Sequence, residues 1–190
     1  MSGLAVAILA AGRSARFGAA DKLTAPFRGL PLGLHAAQAL AGLDFARRWV
    51  IVRTMDHPCA PGWTSAGFDL VVNPDAAVGM GASLRCAAEC ALRADVDGLM
   101  VCLADMPLVP PAHMAALVEA WTRHKGPVTS QDGTLTSPPA IFSRAQFPEL
   151  ASLTGDQGAR QWLRTALHIP CPPGGLADVD DPETLLRLSR

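Results

Sequence analysis

Apolar positions along the chain fall in short runs broken by glycine and proline. Leu4–Leu9 is an unbroken apolar run of strand length, the pattern of a strand covered on both faces and so central in a parallel sheet. Residues 31–43 place Leu32, His35, Ala36, Ala39 and Leu40 at helical spacing, which predicts a helix with His35 packed on its inner face. Residues 49–52 and 68–72 predict two further strands, with a Pro/Gly-containing connection over 58–67. A helix follows the glycines at 79 and 81 and runs to about Arg93, a strand spans 97–103, and Pro110-Pro111 opens a helix over 111–124. Strand and helix alternate throughout this half. That alternation predicts a Rossmann-like, doubly wound α/β three-layer sandwich with a mostly parallel central sheet.

Beyond residue 126 the pattern loosens. Residues 127–130 and 139–142 read as short strands around the polar turn Gln131-Asp132-Gly133, a hairpin or a small β excursion over the sheet. Turn residues then crowd from 153 to 160, a helix is expected to about 167, and a short strand should end at Asp178-Val179-Asp180 before a helix over 183–188. No linker-like segment interrupts the 190 residues, so residues 1–190 are expected to form one domain.

Composition narrows the function classes. A formal net charge of −1 argues against a nucleic-acid-binding face, which is normally basic. The apolar start has no positive residue before it, so it reads as a strand and not a signal peptide, and a cytoplasmic location is expected. No apolar run reaches the ~20 residues that span a bilayer, so no membrane is expected either. The cysteines, Cys59, Cys86, Cys90, Cys102 and Cys171, show no CxxC or zinc spacing and fit a reducing compartment. Cys86 and Cys90 fall on one helix face and read as small buried residues.

Of the sixteen basic residues only Lys22 and Lys125 are lysines. Lys22 therefore stands out, because it follows directly on the first strand and its glycine-rich turn. There Ala11, Gly12 and Gly18 allow backbone N–H groups close to a polyanion, while Arg13, Arg16 and Lys22 supply charge. Such a loop suits a nucleoside triphosphate. It is neither GxGxxG nor GxxxxGK[ST], which disfavours a dinucleotide-binding oxidoreductase.

Three later stretches add candidate chemistry. Asn73-Pro74 leads to Gly79-Met-Gly81-Ala-Ser83, where Ser83 either caps a helix or meets a nucleotide. Asp105 ends a buried strand in the crevice where doubly wound sheets bind ligands, as a magnesium anchor or as a cap for the next helix. Asp178 and Asp180, two apart in an extended segment, should point the same way, and either can complete a metal site with Asp105. Asp181 is the expected N-cap of the last helix, and Asp156 that of a helix bearing Arg160.

The stretch Leu9-Ala-Ala-Gly-x-Ser-x-Arg16-Phe-Gly-x-x-Asp21-Lys22 resembles the signature of the nucleotidyltransferases that attach a nucleotide to the molybdenum cofactor. Asn-Pro…Gly-Met-Gly-x-Ser, Leu-Ala-Asp105-Met-Pro, the Pro-x-x-Phe within Ser137-Pro-Pro-Ala-Ile-Phe142, Gly-Asp156-x-Gly-Ala-Arg160 and Asp-Val-Asp180-Asp-Pro-Glu resemble its later elements in order, so the likeness spans the chain. Ala11 is similar to the cytidylyltransferase branch, since the guanylyltransferase branch usually has a second glycine there. Two positions depart from the pattern: Ser137 stands for Gly or His, and Asp181 for Thr.

The resemblance implies Arg16, Lys22 and Asp105 as catalytic residues and Mg2+ held by Asp105 with Asp178 or Asp180. It implies nucleotide contacts from Leu9, Ala10, Ala11, Gly12, Arg13, Ser14, Lys22, Asn73, Gly79, Gly81, Ser83, Asp156 and Arg160. The implied partners are a nucleoside triphosphate, CTP favoured, a molybdopterin-type acceptor, and a molybdoenzyme or its insertion chaperone. A guanylyl or sugar-phosphate nucleotidyltransferase of the same fold, and a non-catalytic cofactor carrier, remain open at this stage.

Overall fold

A computed structural model describes residues 3–12, 15–17, 21–153 and 160–189. The first half comprises β1 (Leu4–Leu9), the two-residue strands β2 (Pro26–Phe27) and β3 (Leu30–Pro31), α1 (His35–Ala39), β4 (Arg47–Val52), α2 (Ala60–Ser65), β5 (Asp69–Val72) and α3 (Met80–Arg93). It is followed by β6 (Gly98–Leu103), α4 (Pro111–His124), β7 (Val128–Asp132), β8 (Leu135–Ser143), α5 (Phe147–Ala151), α6 (Arg160–Leu163), β9 (Leu167–Pro170) and α7 (Pro182–Ser189).

The main sheet has the order β5-β4-β1-β6-β8-β7-β9. β5, β4, β1 and β6 pair in parallel, β8 runs against both β6 and β7, and β9 lies parallel to β7. The chain moves from β1 outward to β4 and β5, then returns to the other side of β1 as β6. This reversal opens a crevice at the carboxyl ends of β1 and β6, the switch point where such sheets receive ligands.

Alternating residues of β1 feed two cores. Val6 and Ile8 join Val50, Val52, Met100, Trp63 and Met114 on the face covered by α1, α2 and α4. Ala5 and Ala7 face Leu84, Ala87, Ala88, Phe142 and Phe147 on the α3 and α5 side. The small side chains there let α3 lie close to the sheet, which brings its first turn to the crevice. Among the described residues no helix is long and apolar enough to cross a membrane.

Several predicted elements change form. The helix expected over 31–43 shrinks to α1, because Pro31 pairs in β3 and residues 32–34 make a 3-10 turn. That turn is fixed from outside: the Trp63 indole N–H donates to the Gly33 carbonyl at 2.9 Å. Trp63 itself sits fully buried on α2, a helix inside the segment read as a connection. The hairpin of β7 and β8 extends the main sheet edge and does not lie over it. Residues 178–180 form no strand; Val179 N–H instead donates to the Asp105 carbonyl at 2.9 Å. The strand comes earlier, as β9, which also cuts short the helix expected to residue 167. His35 packs as expected, edge-on to Phe27 and bonded to its carbonyl at 2.9 Å.

Candidate active site

β1 ends at Leu9, and Ala10, Ala11 and Gly12 continue into the crevice. Ala10 N–H still donates to Ile51 and Ala104 N–H to Leu9, so both strand ends are tied to neighbours before the chain turns away. After a 3-10 turn at Ala15–Phe17, a second one at Lys22–Thr24 starts on Asp21, whose side chain accepts from Leu23 N–H at 2.9 Å. Lys22 is presented by that capped turn. Asp105 follows β6 by two residues, and Asp180 arrives on the segment pinned to Asp105 through Val179.

These three side chains meet. Lys22 Nζ donates to Asp105 Oδ2 at 2.6 Å and to Asp180 Oδ1 at 3.1 Å, and Arg16 donates to Asp180 Oδ2 at 3.1 Å. Lys22 is only 8% exposed. Burial alone would lower its pKa, but the Asp105 and Asp180 carboxylates outweigh that and leave it above the ordinary lysine value. It is therefore a charged ammonium at physiological pH. Two carboxylates that converge on one cation are also the donor set a divalent ion such as Mg2+ takes when substrate phosphates supply its other oxygens. The residues fit such an ion.

Lys22, Asp105 and Asp180 line a cavity of about 310 Å³, and a second of similar volume adjoins it across Leu9, Met80 and Leu103. The first is lined by Leu9 to Gly12, Lys22, Ala76, Ala77, Gly79, Ser83, Asp105 and Asp180. Its far wall depends on Asn73, which is buried behind it. The Asn73 amide donates to Ser83 Oγ at 3.1 Å and its carbonyl accepts from Asp75 N–H at 3.0 Å, locking residues 73–83 together. Gly79 turns the chain into α3 at φ 133°, a conformation that L side chains rarely adopt. Ser83 lies within α3 and is not its cap. The unpaired N–H groups of that first turn thus border the cavity.

The second cavity is mostly apolar. Met106, Leu84, Val101, Phe142, Leu163 and Leu176 line it, with Thr136, Ser137 and Asp178 as its polar groups. Asp178 and Asp180, expected to share a direction, fall on different cavities. Burial and the neighbouring Asp180 raise the Asp178 pKa.

Of the residues singled out in the sequence, Leu9, Ala10, Ala11, Gly12, Lys22, Gly79, Ser83, Asp105 and Asp180 line the first cavity, with Arg16 bonded at its edge. Gly81 lines the second, and Asn73 supports a wall without lining it. Arg13, Ser14, Gly18 and Asp156, and the side chain of Arg160, lie outside the described residues. Asp181 caps α7 as expected, accepting from Thr184 N–H at 2.7 Å. Two residues were missed. Arg53, at the end of β4, donates to the Gly12 carbonyl at 2.9 Å and so braces the loop. His57 bonds Asp21 at 3.0 Å, one residue before Lys22. Both follow β4 at the carboxyl edge of the sheet, and that position was the available signal.

A doubly wound sheet with two adjoining cavities at its switch point, and a lysine and two carboxylates gathered in one of them, defines a nucleotidyltransferase-type α/β protein. Comparison with known proteins bears this out. Residues 6–169 match the MobA-like NTP transferase domain family. The purine catabolism protein PucB of Bacillus subtilis is 32% identical over 92% of this chain and 90% of its own length. The fold matches that of Rv0371c from Mycobacterium tuberculosis, solved in complex with manganese, with TM-score 0.75 and 23% identity over 99% and 98% of the two chains. It also matches molybdopterin-guanine dinucleotide biosynthesis protein A from Archaeoglobus fulgidus, with TM-score 0.72 and 18% identity over 97% and 96%. The chain belongs to the MobA-like NTP transferase domain family.

Proposed function

We propose that this protein transfers CMP from CTP to the phosphate of the molybdenum-pterin cofactor, with Mg2+, and releases pyrophosphate. The observation that carries the reading is Lys22, held by Asp105 and Asp180 in the first cavity, beside its wall with the second. A nucleotide fits the first cavity, with its triphosphate along Ala10 to Gly12 and its nucleoside toward Ala76, Gly79 and Ser83. The choice of CTP is supported by the resemblance of Ala11 to the cytidylyltransferase pattern. The acceptor fits the second cavity with its phosphate toward Lys22.

An acceptor phosphate oxygen attacks the α-phosphorus in line; the new P–O bond forms as the bond to the β-phosphate oxygen breaks, and pyrophosphate leaves. A phosphate nucleophile needs little base assistance, so positioning and charge neutralisation dominate. Lys22 and Arg16 supply positive charge to the triphosphate. Asp105 and Asp180 would hold the divalent ion, which when bound supplies further neutralisation of phosphate oxygens. Asp178, facing the other cavity, is left to the acceptor.

Pyrophosphate release measured with CTP and with GTP, each with the molybdenum-pterin acceptor, tests this. Turnover with CTP at least tenfold above GTP is expected, and a GTP preference would reassign the base. Release that persists unchanged in Asp105→Ala at saturating nucleotide would remove the proposed centre. A carrier without chemistry would bind the acceptor and release no pyrophosphate.

A further inference from the structure

Lys22 is held on its far side by a buried layer outside the cleft. Asp21, which precedes it, uses both carboxylate oxygens: Oδ1 accepts Leu23 N–H, capping the turn that carries Lys22, and Oδ2 meets His57 Nε2 at 3.0 Å. His57 is 9% exposed. Its other nitrogen, Nδ1, accepts Cys59 N–H at 3.0 Å, and its ring stacks at a tilt on Trp63, 4.9 Å between centroids. The Cys59 thiol in turn donates to the Leu23 carbonyl at 3.3 Å, on the same turn. In the neutral ring Nδ1 accepts and the proton sits on Nε2, and in the charged ring both nitrogens carry protons; in either form Nε2 is the donor to Asp21.

Asp21 also poses an electrostatic problem. A carboxylate beside a loop that takes a triphosphate repels it, unless a positive or hydrogen-bond-donating group faces the carboxylate. His57 is that group. The Asp21 carboxylate draws the imidazole pKa up to about 9, against the opposing effect of burial.

From this geometry we infer that His57 is a positioning residue for the nucleotide site: its Nε2–H fixes Asp21, and through Asp21 the turn that aims Lys22 at the triphosphate. The inference rests on the nucleotide reading of the first cavity. His57 lines neither cavity, and its N–H donor reaches the turn of Lys22 through Asp21.

The test is binding of CTP with Mg2+ by titration calorimetry to wild type, His57→Phe, His57→Gln and Lys22→Ala, with unfolding temperatures recorded for each. Phe keeps a ring against Trp63 and loses the donor, whereas Gln keeps an N–H donor that reaches Asp21. Binding to His57→Phe should weaken about tenfold, the scale of one lost charge-assisted hydrogen bond, and His57→Gln should stay within about threefold of wild type. Equal weakening in Phe and Gln would reduce His57 to packing, and an unweakened Phe variant would overturn the inference outright. If Lys22→Ala is weakened while His57→Phe is not, only the His57 inference falls; if Lys22→Ala binds like wild type, the nucleotide reading itself falls.

A double-mutant cycle covers the case in which His57→Phe folds poorly. Asp21→Ala combined with His57→Ala should bind no more weakly than Asp21→Ala alone, since a residue that acts through Asp21 has nothing left to hold. Additive losses would refute the relay.

Discussion

The two cavities share a wall and little else. The first is framed by the ends of β1 and β6 and the start of α3, all near the switch point, and its polar groups converge on Lys22. The second is framed by the antiparallel β8, the segment around Asp178 and Leu163 of α6, and it is largely apolar. Met80 at 56% and Leu135 at 54% exposure leave its mouth greasy as well. One side is arranged to neutralise charge, the other to shelter an apolar body and offer a few hydrogen bonds. A transferase that keeps its nucleotide half constant and varies its acceptor half needs this division, because phosphates are common to all substrates and acceptor bodies are not.

The largest effect should come from the shared junction. Lys22→Ala removes the one ammonium bonded to both Asp105 and Asp180, and kcat/KM should fall by about three orders of magnitude, the upper range for a lost charge-stabilising donor. Steady-state pyrophosphate release measures this, and a loss under tenfold would break the contrast between the cavities. The same variant leaves two carboxylates facing each other. Mn2+ or Mg2+ without nucleotide should therefore raise its unfolding temperature more than it raises that of wild type. An equal rise in both proteins would show that Asp105 and Asp180 do not hold the ion.

A smaller, one-sided effect is expected at the second cavity. Leu135→Asp, at an exposed apolar position on its rim, should raise the acceptor KM about tenfold while CTP affinity stays within about twofold, as expected for lost apolar contact and desolvation confined to one site. Ser83→Ala is the mirror experiment. Ser83 lines the first cavity and its hydroxyl accepts from Asn73 behind that wall, so losing this bond should lower CTP affinity about threefold to tenfold, with acceptor KM unchanged. If either variant shifts both parameters equally, the cavities do not divide the substrates as proposed.

The same division governs what the sequence made legible. Apolar runs ending in Leu9 and Leu103, with small residues and a lysine after the first and Asp105 after the second, carry local signals; the structure brings Lys22 and Asp105 together and joins to them Asp180, which the sequence did not separate from Asp178. Parallel strands next to the switch point are hard to misread because both their faces must be apolar. The acceptor side gave weaker signals. β9 is only four residues long, and its place beside β7 is set by pairing with a strand far away in sequence. Asp178 and Asp180 would share a face in a strand, but the segment is irregular and its path follows the bond from Val179 to the Asp105 carbonyl. α2 was hidden by Pro61 and Gly62; the proline is tolerated in its first turn and the burial of Trp63 holds the helix in place. His57 and Arg53 act through tertiary bonds to Asp21 and Gly12, which no spacing rule reports.

The smallest expected effect separates the buried support from the cleft it serves, and it is a pH dependence. His57 has a pKa raised from 6.5 to about 9 by its bond to Asp21, with the Cys59 contacts adding to the rise and burial opposing it. The groups facing it are the Asp21 carboxylate and the Cys59 amide and thiol, with exposed Asp56 adjacent in sequence. A raised folded-state pKa means the folded protein holds the proton more tightly than the unfolded chain. The pair's contribution to stability is therefore complete below pH 6.5 and is lost as pH rises through 9. The unfolding temperature of wild type should exceed that of Asp21→Asn by a few degrees at pH 6, and the gap should close by about pH 9.5. A gap that stays constant across this range would mean that the imidazole remains neutral throughout, with the Cys59 amide holding Nδ1 unprotonated. Asp21 would then be fixed by a neutral hydrogen bond, and its negative charge would stand beside the triphosphate loop without a cationic partner in His57.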